Sequence, residues 1–261
     1  MTRSIDVSVE IDASIEDVYK ALTEASELVR WFPLEAGENE DGSLWMSFGD
    51  GHRFSGAVAA SEPPRHVRLL YRQPPPGRDP KTLTEDDLVE IVTDYRLETQ
   101  GGKTVLRLVH SGFGDGSDWG ELYDATRTGW GFQLRGLKHY LENHHGRERI
   151  VAWAKAVYPG TRDKAWAQLM SPAGDLRAGE RYSTDASFGE TLAGEIRLIE
   201  PPASFVATVD GWNNAFLGVT LEDFCGMRKA NVFLSTYDVP RSDVEAFEKR
   251  WQTRLNQLFS E

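Results

Sequence analysis

Gly51-His52-Arg53-Phe54-Ser55-Gly56, closing at Glu62-Pro63-Pro64, returns later in the chain as Gly189-Glu190-Thr191-Leu192-Ala193-Gly194, closing at Glu200-Pro201-Pro202. Both glycines, the glutamate and both prolines coincide at a constant offset of 138, with Phe54 against Leu192 and Val58 against Ile196 between them. Five identities in fourteen ungapped positions make an internal repeat. A repeat has to be recognised before any element is assigned, because it sets the whole architecture. The pattern reads as a strand that bends at Gly56 or Gly194 and stops at a Pro-Pro turn.

Working outward, the helices repeat too. Ser14-Ile15-Glu16-Asp17-Val18-Tyr19 through Leu22 matches Thr161-Arg162-Asp163-Lys164-Ala165-Trp166 through Leu169 at offset 147. Ser14 with Asp17 reads as an N-cap and capping box, and Thr161 as the second N-cap. Tyr123, Thr126, Trp130, Leu134 and Leu137 fall on Val244, Phe247, Trp251, Leu255 and Leu258 at offset 121. Spacings of three and four put each set on one helical face. Ser242 through Glu245 reads as a capping box for the last helix. The falling offsets place two deletions in the second copy. One removes the counterpart of the Trp31-Phe32-Pro33 segment. The other removes the Pro-rich, charged loop from Gln73 to Asp87, which is predicted to be exposed and mobile.

Strands are predicted at Ile5–Ile11, Ser43–Phe48, His52–Ala60, His66–Gln73, Leu88–Thr99 and Thr104–Ser111, with Gly101-Gly102 as a hairpin turn. A long helix follows from Asp118 to about Asn143. The second copy predicts strands at Tyr182–Ser187, Thr191–Ile199, Phe205–Val209, Ala215–Asp223 and Ala230–Tyr237. Ile150–Tyr158 fits strand or helix, and analogy with the first copy favours strand. The domains are expected at 1–145 and 146–261. An antiparallel sheet with one apolar face must bury that face. A single long helix across a curved sheet leaves a pocket between them, suited to an apolar ligand.

The 261 residues carry 29 basic and 41 acidic side chains, a net charge of −12. That balance repels phosphate backbones and anionic lipid, so neither nucleic acid nor membrane is an expected partner. No apolar run is long enough to span a bilayer. The first twelve residues alternate apolar and polar rather than forming a signal peptide, so a cytoplasmic location is expected. The single cysteine, Cys225, excludes an internal disulfide and reads as core filler.

Ser14 through Thr23, Arg30-Trp31-Phe32-Pro33, Val109-His110-Ser111-Gly112-Phe113, and Gly129-Trp130 ahead of Leu134, Leu137 and Tyr140-Leu141-Glu142 resemble the START-like, or SRPBCC, superfamily. Within it they resemble the branch named after the activator of heat-shock-protein ATPase. The resemblance covers Ser4 to about Asn143 and reaches the second copy only through its helices and bent strand. It implies an α+β fold of two tandem helix-grip domains, each a curved antiparallel sheet wrapped on a long C-terminal helix, the second degenerate. It implies function weakly, because one fold hosts many functions.

Catalytic motifs are not legible. The six histidines show no metal spacing, and no cofactor or metal is expected. There is no phosphate loop in its required context and no serine elbow. His144-His145 reads as a cationic helix end. His110 shares a face with Leu106 and Leu108 by alternation. The pocket is expected to draw on Trp31, Trp45, Phe54, Tyr71, Tyr95, His110, Phe113, Trp119 and Tyr123, whereas Trp130 reads as core. Non-catalytic binding of a small hydrophobic or aromatic molecule by the first domain is the favoured function. The resemblance also implies a chaperone as an alternative partner. A third alternative is an enzyme using His110 or Tyr95 as acid or base. The oligomeric state is not legible.

Overall fold

In a computed structural model, the chain is described over residues 3–49, 53–170, 176–184, 190–224 and 226–260. Gly51, His52, Ser187, Gly189 and Cys225 lie outside the described residues. Two compact units are present, Met1–Arg127 with Gln133–Gly146, and Thr128–Phe132 with Arg147–Glu261.

The first unit contains β1 (Arg3–Ile11), α1 (Ile15–Thr23), α2 (Ala25–Leu28), β2 (Glu35–Glu38), β3 (Leu44–Ser47), β4 (Arg53–Glu62), β5 (His66–Gln73), β6 (Val89–Gln100), β7 (Lys103–Phe113) and most of α3 (Ser117–Asn143). Its strands form one antiparallel sheet in the order β1-β7-β6-β5-β4-β3-β2. Ser14 caps α1 by accepting from the Asp17 N–H at 3.1 Å, and its hydroxyl donates to Asp17 Oδ2 at 2.7 Å. Gly101 and Gly102, at φ 59° and 84°, turn the β6–β7 hairpin, a conformation closed to most side chains. Alternation sets the two faces. Ile5, Val67, Leu69, Tyr95, Leu97, Leu106 and Leu108 are buried on the inner face. On the outer face Asp94 accepts from His66, Arg68 and Arg96. Burial alone would raise its pKa, but these hydrogen bonds hold it below the ordinary carboxylate value.

Side chains of α3 seal the β1 edge. Tyr123 donates to Ser4 O at 3.3 Å, Lys138 donates to Glu10 O at 2.7 Å, and Glu142 accepts from the Asp12 N–H at 2.8 Å. Tyr140, fully buried, donates to Glu27 Oε2 at 2.7 Å and so ties α3 to α2.

The second unit contains β8 (Arg149–Val157), α4 (Arg162–Met170), β9 (Arg181–Ser183), β10 (Ala193–Glu200), β11 (Ser204–Val209), β12 (Ala215–Phe224), β13 (Met227–Tyr237) and α5 (Arg241–Phe259). Its sheet runs β8-β13-β12-β11-β10-β9, the same plan with no counterpart of β2 among the described residues. The segment compatible with strand or helix is strand β8. Its core combines Tyr182, Phe205, Leu217, Val219, Leu234, Val244, Phe247, Trp251 and Leu255. A smaller cluster joins Phe132, Leu198, Val206 and Phe216. Here too the last helix seals an edge. Glu248 accepts from the Trp153 N–H at 2.9 Å, and Gln252 both accepts from the Lys155 N–H at 3.1 Å and donates to Lys155 O at 2.7 Å.

The repeat persists in the hydrogen bonding. Arg65 N–H donates to Glu62 O and Ala203 N–H to Glu200 O, both at 2.8 Å. Both Pro-Pro bonds are cis. The strand irregularity falls between Val58 and Ala60 and between Ile196 and Leu198, not at Gly56 and Gly194 as the sequence suggested. The glycines serve close approach instead. A Cβ on Gly56 would stand 2.6 Å from the Tyr71 ring, and one on Gly194 1.9 Å from Thr208 O.

Other expectations are corrected. β2 was not legible, being four residues with a central glycine and little apolar content. Pro240, not Ser242, is the N-cap of α5, and Ser242 lies in its first turn. Phe259 rather than Leu258 completes the buried stripe of α5. His144 does end α3, as its C-cap, and its ring is buried, 6% exposed, against His139 with centroids 5.1 Å apart. The Pro-rich loop contains two 3-10 turns, Pro80–Thr82 and Glu85–Asp87, the second closed by a Thr84–Asp87 capping box. No helix among the described residues is long and apolar enough to cross a membrane.

Candidate ligand-binding face

The inner face of the first sheet interrupts its aliphatic cover with polar groups. Thr93 and His110 are directly opposed on β6 and β7, and Thr93 Oγ1 lies 3.1 Å from His110 Nδ1. Thr93 is 1% exposed and His110 half-buried. Burial holds the imidazole neutral, lowering its pKa from 6.5 to about 4. Tyr95 follows Thr93 by two residues on β6, and Tyr71 on β5 opposes Ile91, two residues before it. Burial raises the pKa of both phenols. The half-buried Tyr71 hydroxyl has no hydrogen-bond partner among the described residues. Phe54 and Val58 share this face through their pairing with Met46 and Leu69, yet are 44% and 46% exposed. The β4 end of the face is therefore open.

At the other end, the Phe113 ring lies 5.2 Å from His110 and 5.2 Å from Tyr123. Arg3 stacks over Tyr123 at 4.1 Å. The Trp119 ring packs on Gly114, where an added Cβ would approach it to 2.8 Å. The Pro-rich loop reaches the start of α3, with Gly77 against the Asp118 carboxylate.

The structure thus brings Tyr71, Tyr95, His110 and Phe54 onto one face and puts Phe113, Trp119 and Tyr123 at one end of the unit. Trp31 and Trp45 are not part of this set. Trp31 is 3% exposed, donates its indole N–H to Ala21 O at 2.7 Å and stacks on Phe32, so it pins the helices to each other. Trp45 pairs with Ser55 and Gly37 in the register that points to the outer face, where Arg53 stacks on it at 4.0 Å. Thr93 was missed by the sequence reading. Alternation with Tyr95 was the signal that could have found it.

The second unit is an internal control. Ile5, His110 and Thr93 stand in one cross-strand row of the first sheet, and Ala152, Leu234 and Leu217 in the matching row of the second. The offset there is 124, so the second deletion divides between the Pro-rich loop and the approach to the last helix. Tyr71, Thr93, Tyr95 and His110 are replaced by Val209, Leu217, Val219 and Leu234, all buried. The helices differ in the same sense. Val244 and Phe247 are buried, whereas their counterparts Tyr123 and Thr126 are half-exposed. A cleft of about 440 Å³ in the second unit is lined by Trp212, Asn213, Asp238, Asp243 and Arg250. Its charges are largely spent, Arg250 on Glu190 at 2.6 Å and Asp238 on Arg147 at 3.2 Å. Among the described residues no group of three or more histidine, cysteine, aspartate or glutamate side chains is placed to hold a metal.

A family model described as Activator of Hsp90 ATPase homolog 1-like protein matches residues 12–142. No curated protein matches the chain. Among solved structures it is similar to the Aha1 dimer from Colwellia psychrerythraea, at 23% identity over 55% of this chain and 99% of that one, with a TM-score of 0.45. It is similar to DynU16, a protein of the dynemicin biosynthetic locus, at 20% identity over 98% and 97%, TM-score 0.41. It is also similar to the di-domain ARO/CYC BexL from the BE-7585A biosynthetic pathway, at 14% identity over 98% and 95%, TM-score 0.46.

Proposed function

The chain belongs to the Activator of Hsp90 ATPase homolog 1-like family, and from that premise we propose that its first unit binds a small, largely apolar molecule on the inner face of the sheet, without catalysing its conversion. One observation carries this reading. The same sheet is built twice, and only the first copy places hydroxyls and an imidazole where the second places leucine and valine. Leu234, Leu217 and Val219 demonstrate that the fold itself has no need of polar groups there. Taking polar groups out of water costs free energy, a cost the second copy avoids. A ligand that uses Thr93, Tyr95 and His110 gives the first copy a reason to carry them. The exposed Phe54 and Val58 supply an apolar entry to the same face.

Thermal shift with a panel of apolar and aromatic compounds tests the reading on the full chain. A ligand at one hundred times its Kd stabilises by about 2.7 kcal/mol, which is several degrees. The wild type should show that shift, and the Thr93→Leu/His110→Leu double variant, which copies the second unit's residues, should lose most of it. Equal shifts in both proteins would place the binding elsewhere and retire the proposal. Mass spectrometry of the purified chain would identify a co-purifying occupant.

A further inference from the structure

Granting that the inner face binds a small molecule, we infer that its ligand is an uncharged aromatic compound carrying an oxygen that hydrogen-bonds to the Tyr71 hydroxyl. The first support is the distribution of charge. In β1, β5, β6 and β7 the ionised side chains Asp6, Arg68, Asp94, Arg96 and Arg107 all occupy outer-face register positions. Apart from Arg3 at the start of β1, which stacks on Tyr123, the inner-face positions of those strands, and of β4, hold only aliphatic, aromatic, hydroxyl or amide side chains and His110. A carboxylate or ammonium group beside Tyr71, on the β5 side of the face away from Arg3, would be buried without a counter-charge, which is heavily unfavourable. Burial raises the pKa of Tyr71 and lowers that of His110, both toward the neutral form, which fits the same picture.

The second support is the shape of the lining. Phe54 and Tyr71 present flat rings, with the buried Tyr95 beside Tyr71's strand, and such rings favour a planar partner at stacking or edge distance. Gly56 leaves room for the Tyr71 ring, because any larger residue would collide with it. The third is the Tyr71 hydroxyl, which makes no hydrogen bond to a described protein group and can donate to or accept from a ligand. Val209 at the equivalent place in the second unit offers none.

Three probes of matched ring size test this by titration calorimetry on the full chain at neutral pH: 2-naphthol, naphthalene and 2-naphthoate. Naphthol is expected to bind at least about ten-fold tighter than naphthoate. Tyr71→Phe, which keeps the ring and removes only the hydroxyl, should weaken naphthol about five-fold and leave naphthalene within two-fold. Naphthoate binding as tightly as naphthol, for instance through Arg3, would overturn the inference while leaving the ligand-binding reading intact. Unchanged naphthol affinity in Tyr71→Phe would remove Tyr71 as the oxygen's partner and overturn it equally. If none of the three binds at millimolar concentration, the underlying reading falls as well.

Discussion

His110 and Leu234 occupy one place in two copies of one fold, and the difference has a thermodynamic signature. The His110 imidazole resists protonation until about pH 4, below the 6.5 of an exposed histidine. The unfolded chain therefore takes up this proton first as pH falls. Stability should drop between pH 6.5 and 4, by at most about 3 kcal/mol from this residue. His110→Leu should remove that part of the acid sensitivity and raise the melting temperature at pH 7.5; urea midpoints at pH 7.5 and 4.5 would check both. A variant that tracks the wild type across that range would show that His110 is not the group concerned. The two repeat glycines make a second contrast. Gly194→Ala drives a Cβ against a backbone carbonyl that cannot turn away, and should cost about 3 kcal/mol. Gly56→Ala meets only the end of the Tyr71 ring, and should cost about 1 kcal/mol while weakening ligand binding. Equal costs in chemical denaturation would contradict this difference. At this scale the alternation of β6 and β7 made Tyr95 and His110 legible. Trp31 and Trp45 were misplaced because an aromatic residue in a short segment carries no period that says which way it points.

At the scale of elements, the closing helices do more than cover a sheet. Each reaches over to the edge strand beside it and occupies backbone groups that would otherwise be open to another chain. Gln252 satisfies both the N–H and the C=O of Lys155. Gln252→Leu should cost about 1–2 kcal/mol and increase concentration-dependent association through β8, visible by light scattering. A variant as stable and monodisperse as the wild type would show the bridge to be dispensable. The three-and-four spacing made the stripe on both helices legible. It did not reveal that Tyr123 and Thr126 stay half-exposed while Val244 and Phe247 are buried, since depth depends on what stands opposite. The N-cap of α5 was misread for a related reason: Ser242 has the capping chemistry, but Pro240 has the position.

At the scale of the molecule, two units of common plan have diverged in how their inner faces are filled. The second is occupied by its own aromatic core, so binding should saturate at one molecule per chain. Calorimetric stoichiometry would check it, and a value near two would mean that the second unit also opens. The sequence by itself determined the repeat, the order and type of nearly every element, the family resemblance and the net negative charge. These depend on composition, on local periodicity or on offsets that need no knowledge of folding. Only the tertiary structure decided that Thr93 meets His110, that Trp45 faces away, and that Val209, Leu217, Val219 and Leu234 replace the polar set. Those facts rest on strand register, which pairs residues far apart in the chain. A shift of one residue exchanges the two faces of a strand.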